Sequence, residues 1–185
     1  MQDYHEYLDE ILVTEDQLQK RIAELGEEIS KDYAGQTIHM ICILRGGVMF
    51  LSDLVRHISV PNTMDFMAVS SYGTARQSTG QVRITLDLTE DIHHRNVLLV
   101  EDIVDSGYTI ASVLGFLETR RPQSLRVCTL LDKPLRREVD VPIHYRGFTI
   151  PNKFVFGYGL DIDEFYRNLP FIATVDLNRY QPEGS

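Results

Sequence analysis

Cysteine is scarce in this chain, two residues in 185, and basic side chains are outnumbered. Cys42 and Cys128 each stand inside an apolar run, so they read as reduced core residues and exclude a disulfide framework. Lys and Arg number 18 against 27 Asp and Glu, a formal net charge of −9 at pH 7. Nonspecific nucleic-acid binding needs basic surface against phosphates, and this balance argues against it. No apolar run approaches the ~20 residues a membrane helix needs. The chain shows no linker, repeat or low-complexity tract. Its six histidines lack zinc-site spacing, and His93-His94 reads as a polar turn. The opening Met-Gln-Asp-Tyr-His-Glu is too acidic for a secretion signal, so a cytoplasmic location is expected. With 43% apolar residues the chain can bury one core, and a single domain over residues 1–185 is expected.

The densest chemistry lies in residues 97 to 109, Val-Leu-Leu-Val-Glu-Asp-Ile-Val-Asp-Ser-Gly-Tyr-Thr. Val97 to Val100 is short and β-branched enough for a buried parallel strand, and Ile110, Val113, Leu114 and Leu117 follow at helical spacing. The polar residues therefore occupy a strand-to-helix turn. In open α/β sheets such turns lie at the carboxyl edge, where ligands bind and a helix start offers unpaired N–H groups to an anion. No Gly-x-x-x-x-Gly-Lys-[Ser/Thr] string occurs, which excludes a P-loop. Asp105, Ser106, Gly107, Tyr108 and Thr109 suit a phosphate monoester, held in a nest of backbone N–H groups and hydroxyls. Glu101 and Asp102 suit a different role, because carboxylates accept from the vicinal hydroxyls of a ribose and are hard oxygen ligands for Mg²⁺. The alternative is a strand end with solvated acids capping the next helix.

Other segments carry further signals. Ile38 to Leu44 reads as a buried strand, and Val48, Leu51, Leu54, Val55 and Ile58 as the apolar face of a helix stopped before Pro61. Between them stand Arg45, Gly46 and Gly47, a cation and two permissive residues suited to a doubly charged group, or merely a tight turn with an exposed Arg. Residues 70 to 81 form a polar loop long against the usual connection of ~4–6 residues, between strand-like stretches Met64 to Val69 and Val82 to Leu88. Leu125 to Leu131 reads as a strand ending in Asp132-Lys133-Pro134. Thr14 and Gln17 make a capping-box signal ahead of Leu18, Ile22, Leu25 and Ile29, an amphipathic helix with no chemistry assigned.

The string Val-Glu-Asp-Ile-Val-Asp-Ser-Gly-Tyr-Thr resembles the phosphoribosyl-pyrophosphate signature of the type I phosphoribosyltransferases, in its hypoxanthine-guanine form. The resemblance extends from about residue 38 to about 176. It implies an α/β fold with a mainly parallel twisted sheet flanked by helices, a core of about residues 36–147, and a small C-terminal hood of about 148–180 with a contribution from the N-terminus. It implies Mg²⁺-dependent transfer of a 5-phosphoribosyl group to hypoxanthine or guanine, by a homodimer or homotetramer. Glu101, Asp102, Ser106, Gly107, Tyr108 and Thr109 match the sugar-phosphate site, and Asp105 the residue that moves the purine proton. Arg45 and Gly46 match the pyrophosphate loop, with Arg45 in place of the usual Lys; the family often carries a non-proline cis peptide at this spot, which if present here would lie between Leu44 and Arg45. Ser71 and Tyr72 match the Ser-Tyr pair of the family's mobile loop, and Arg167 an arginine near the leaving group. Lys133 matches the lysine that donates to the purine six-oxo group. Phe154 matches the stacking ring and Val155 the main chain that reads the purine edge. Asp161, in the same base-binding segment, would join Glu101 and Asp102 in holding metal. Within this fold the acceptor is otherwise xanthine, a pyrimidine or, least in keeping with Lys133, adenine; an RNA-binding regulator of the same fold would need a basic surface that this chain lacks.

Overall fold

The structure, a computed structural model, describes residues 3–71 and 82–180, with backbone alone described at Ser71. The chain runs through α1 (Tyr4–Tyr7), β1 (Leu8–Val13), α2 (Glu15–Asp32), β2 (Ile38–Leu44), α3 (Val48–Leu54), β3 (Asn62–Ser71) and β4 (Val82–Leu86). It continues through β5 (Asn96–Val104), α4 (Tyr108–Glu118), β6 (Ser124–Asp132), β7 (Tyr145–Thr149), β8 (Val155–Phe156) and β9 (Ile172–Val175). Tyr72 and most of the 70–81 loop lie outside the described residues.

Among the described residues, six strands form the main sheet in the order β4-β3-β2-β5-β6-β7. All neighbours are parallel except β4, which runs antiparallel to β3. β2 and β5 sit centrally and are buried along nearly their whole length, as continuous apolar runs in a parallel sheet must be when helices cover both faces. One face, carrying Met40, Cys42, Leu98 and Val100, packs on Leu18, Ile22, Leu25 and Ile29 of α2 and on Phe50, Leu51 and Leu54 of α3. The other, carrying Ile41, Val97, Leu99 and Val127, packs on Ile110, Val113, Leu114 and Leu117 of α4. Cys42 and Cys128 are buried free thiols, and burial pushes both thiols up in pKa.

Helix α2 begins with a full capping box: the Thr14 N–H donates to Gln17 Oε1 at 2.9 Å and the Gln17 N–H to Thr14 Oγ1 at 3.3 Å. Its Arg21 donates to the carbonyls of Gly147 and Arg146, at 3.3 and 2.8 Å, tying the helix across edge strand β7. The helix expected from Val48 onward ends at Leu54 and tightens into a 3₁₀ turn over Val55–His57. A second, antiparallel sheet of order β1-β9-β8 packs Tyr7, Phe156, Ile162, Ala173 and Val175 into its own small core.

Strand β4 ends at Leu86, two residues short of the stretch expected from sequence. The reason is Asp65, buried in the middle of β3. Its carboxylate accepts from the N–H groups of Phe66 at 2.8 Å, Thr89 at 2.8 Å and Glu90 at 3.0 Å, which claims the backbone beyond Asp87. Burial works to raise the Asp65 pKa, but the backbone donors outweigh it and hold the carboxyl below its ordinary value. A depressed carboxyl stabilises the fold above its unfolded pKa and loses that contribution as pH falls through the folded value. Asp65→Asn is therefore expected to cost about 1–3 kcal/mol at pH 7, with the gap from the parent narrowing below about pH 4. Urea unfolding at a series of pH values measures this, and a gap independent of pH would contradict it.

Candidate active site

The sheet order places a topological switch between β2 and β5: from β2 the chain moves outward to β3, then returns to the other side of β2 as β5. Crevices at such points, outside the carboxyl ends of the strands, are where open α/β sheets bind ligands. The two turns that leave these strands are the Arg45-Gly46-Gly47 turn and the 105–107 turn. They are pressed together. A Cβ on Gly46 would lie 1.5 Å from Asp102 Oδ2, so the Asp102 carboxylate occupies the space a side chain would need. The Leu44-Arg45 peptide is cis, at the spot where the resemblance would put such a bond.

Glu101 and Asp102 are both buried at the end of β5, with no cation in hydrogen-bonding contact. Burial raises the Glu101 carboxyl well above its ordinary value, and the adjacent Asp102 charge raises it further. Burial also raises Asp102, opposed first by its side-chain hydrogen bond with Glu101, then by the N–H of Ile103, which donates to its Oδ1 at 2.7 Å, and by the more distant charge of Arg167. Glu101 Oε2 has no hydrogen-bond partner. Two adjacent buried carboxylates, one with an orphaned oxygen, require a proton or a cation to offset their charge. The pair therefore fits Mg²⁺ by donor type and by unmet charge.

Past β5 the chain turns through Asp105, Ser106 and Gly107. Gly107, at φ +94°, is the residue before α4, and no side chain caps the helix there, which leaves its first N–H groups facing the turn. Glu101, Val104, Asp105, Ser106, Gly107 and Thr109 line a cavity of about 230 Å³. Asp102 and Tyr108 are not among its lining residues. Asp102 packs against the Gly46 turn, and its carboxyl stays in side-chain hydrogen-bonding contact with Glu101.

Lys133 follows β6 on the same sheet edge, nearly buried, with Nζ 3.9 Å from Asp105 Oδ2. Burial lowers its pKa and the Asp105 charge opposes that shift. Arg136 Nε lies 3.0 Å from Asp105 Oδ1 as an ion pair outside hydrogen-bonding geometry. Arg137 donates from Nε to the Asp105 carbonyl at 3.1 Å and is paired with Asp132, which also holds Arg146 at 2.8 Å. Asp132 is 1% exposed, so this is a buried buttress under the Asp105 main chain. Sequence reasoning missed Arg136 and Arg137 as supports. The run Lys-Pro-Leu-Arg-Arg after a buried strand was the available signal.

The remaining expected residues lie in or beside the second sheet. Phe154 is 48% exposed, and Val155 is buried in β8, in register with Thr174. Asp161 Oδ1 lies 2.9 Å from Arg167 Nη2, and Asp161 Oδ2 accepts from the Glu164 N–H at 2.8 Å. Among the described residues no group of three or more His, Cys, Asp or Glu is gathered as a metal set. Arg167, which pairs with Asp161, also reaches Asp102 with its charge. Arg45 pairs with Glu164 at 2.5 Å, a contact that nothing in the sequence announced.

The chain matches the model of the phosphoribosyl transferase domain over residues 10–163. It is 54% identical over 177 residues to the hypoxanthine-guanine phosphoribosyltransferase of Mycobacterium tuberculosis strain CDC 1551 / Oshkosh, covering 92% of this chain and 88% of that one. It is 48% identical over 170 residues to the hypoxanthine phosphoribosyltransferase of Salmonella typhimurium, covering 91% and 96% respectively. A crystal structure of a hypoxanthine phosphoribosyltransferase from Staphylococcus aureus superposes with a TM-score of 0.92 at 44% identity, over 97% of each chain.

The buried acid pair carries a direct expectation. Glu101→Gln removes one of two adjacent desolvated carboxyl charges and should raise the thermal midpoint of the protein in EDTA at pH 7.5, a stabilisation of roughly 1–3 kcal/mol. A midpoint at or below that of the parent, read by calorimetry, would show that the pair is not electrostatically burdened.

Proposed function

This chain belongs to the phosphoribosyl transferase family, and from that premise we infer that it is a purine-salvage enzyme. It transfers the 5-phosphoribosyl group of 5-phosphoribosyl 1-pyrophosphate to hypoxanthine or guanine, giving IMP or GMP and pyrophosphate. The observation that carries this reading is the placement of Glu101, Asp102, Asp105 and Lys133 on one sheet edge at the switch point, beside a helix start free to take a phosphate.

The reaction is displacement at the anomeric carbon, in which pyrophosphate departs as a purine ring nitrogen arrives. Glu101 and Asp102 accept from the ribose hydroxyls, and their charge favours a cationic sugar. The 106–109 turn, with the Ser106 and Thr109 hydroxyls, the Gly107 main chain and Tyr108, takes the 5-phosphate. Asp105 moves the proton of the five-membered purine ring, as base in one direction and acid in the other. The buried ammonium of Lys133 donates to the six-oxo group, and an amino group at that position offers it no acceptor. Phe154 stacks on the purine and the Val155 main chain reads its edge. Arg45, Gly46 and Arg167 receive the pyrophosphate; Ser71, the last residue of β3, and Tyr72 match the Ser-Tyr pair assigned to the donor. Glu101, Asp102 and Asp161 would hold Mg²⁺, which would supply charge to offset the leaving pyrophosphate. We extend the reading to a cytoplasmic homodimer or homotetramer that binds neither nucleic acid nor membrane. The net charge of −9 supports it, as does the lack among the described residues of any helix long and apolar enough to cross a bilayer.

An ultraviolet assay with phosphoribosyl pyrophosphate, Mg²⁺ and each of hypoxanthine, guanine, xanthine and adenine tests the activity and the acceptor together. Turnover with the first two is expected, and turnover with adenine alone would reverse the role given to Lys133. In the same assay Asp105→Asn should lower kcat about 10²–10⁴-fold with the fold intact. Parental turnover by that variant would remove Asp105 from proton transfer.

A further inference from the structure

Glu164 offers one carboxylate oxygen to two cations from distant parts of the chain. Its Oε2 lies 2.5 Å from Arg45 Nη1, just past β2, and 3.2 Å from Arg167 Nη2, in the segment between β8 and β9. The Glu164 main chain is held at φ +71° by the bond from its N–H to Asp161, while its side chain is 64% exposed and reaches back across the turn. Both arginines together keep the Glu164 carboxyl below its ordinary pKa, the hydrogen bond from Arg167 contributing most. These are the two cations assigned above to the leaving pyrophosphate, and the inference rests on that assignment.

We propose that Glu164 is an internal counter-anion of the pyrophosphate subsite, which holds Arg45 and Arg167 when no ligand is present and competes with pyrophosphate for them. A carboxylate carries one negative charge on an exposed, rotatable side chain, and a single exposed ion pair changes a binding constant by only about 1.5- to 5-fold. Pyrophosphate carries several charges and displaces it readily. Because Asp161 touches Arg167 through a separate oxygen, Glu164 can swing away without releasing the turn that holds it. On departure of the leaving group the carboxylate reclaims both guanidinium groups, which speeds release. Arg in place of the family's usual Lys at position 45 suits this device, because a planar fork can keep one donor on Glu164 while another meets an incoming oxygen.

The test is calorimetric titration of the full chain with magnesium pyrophosphate at low salt, on the parent, Glu164→Gln and Arg45→Ala. The proposal expects Glu164→Gln to bind about two- to fivefold more tightly, an advantage that shrinks at high salt, and pyrophosphate to become a correspondingly stronger product inhibitor. KM for phosphoribosyl pyrophosphate should fall while kcat does not rise. Unchanged or weaker binding by Glu164→Gln, with Arg45→Ala weakened, would overturn the counter-anion and leave the subsite standing. Parental affinity in Arg45→Ala would overturn the subsite assignment and the counter-anion with it. Glu164 is exposed and outside every apolar cluster among the described residues, so thermal midpoints of the three proteins should agree closely enough to compare affinities.

Discussion

Two carboxyl groups side by side in a buried strand end, with no partner cation in contact, set the terms for the rest of this molecule. Water has been removed from both, and the protein returns little: a hydrogen bond between the two carboxyls and a backbone N–H for Asp102, with one oxygen of Glu101 left unmet. Such a site is costly to fold, and that cost is offset only in a complex. The central strands, the glycine against Asp102 and the two helix-bearing turns are the frame that keeps this unfavourable pair in place.

The cations of the site are handled in the opposite way. Arg45 is paired with Glu164, Arg167 with Asp161 and Glu164, Lys133 and Arg136 with Asp105, and Arg137 with Asp132. Bare positive groups would be the simplest way for a chain of net charge −9 to bind a polyphosphate. Instead each has an internal anion. The positive charge of the crevice is thus already offset from within, and its field is weaker than a count of its arginines suggests.

How much of this could be read from residue order differs by element. Strand β2 has the limits its apolar run implied, Ile38–Leu44, because a strand buried on both faces is apolar throughout and stops where Arg45 begins. The Thr14-Gln17 cap and the Gly107 turn were equally legible, since each rests on short-range geometry that particular residue types satisfy. The supports were not. Asp65 sits in the middle of a strand and finds its donors 24 and 25 residues away. Glu164 meets Arg45 across 119 residues, from a segment whose positive φ values at Asp163, Glu164 and Tyr166 no propensity would suggest. Local chemistry announces caps, turns and buried strands, and only the closed fold discloses which distant neighbours hold them.

The smaller sheet joins the two ends of the sequence: β9, at 172–175, lies between β1, at 8–13, and β8. A ribosome therefore delivers β1 long before its only pairing partner among the described strands exists, and that strand must wait with an unsatisfied edge while the parallel core assembles. The second sheet is therefore the last part of the described fold to close, and a chain interrupted late in synthesis would hold the parallel sheet with β1 still unpaired.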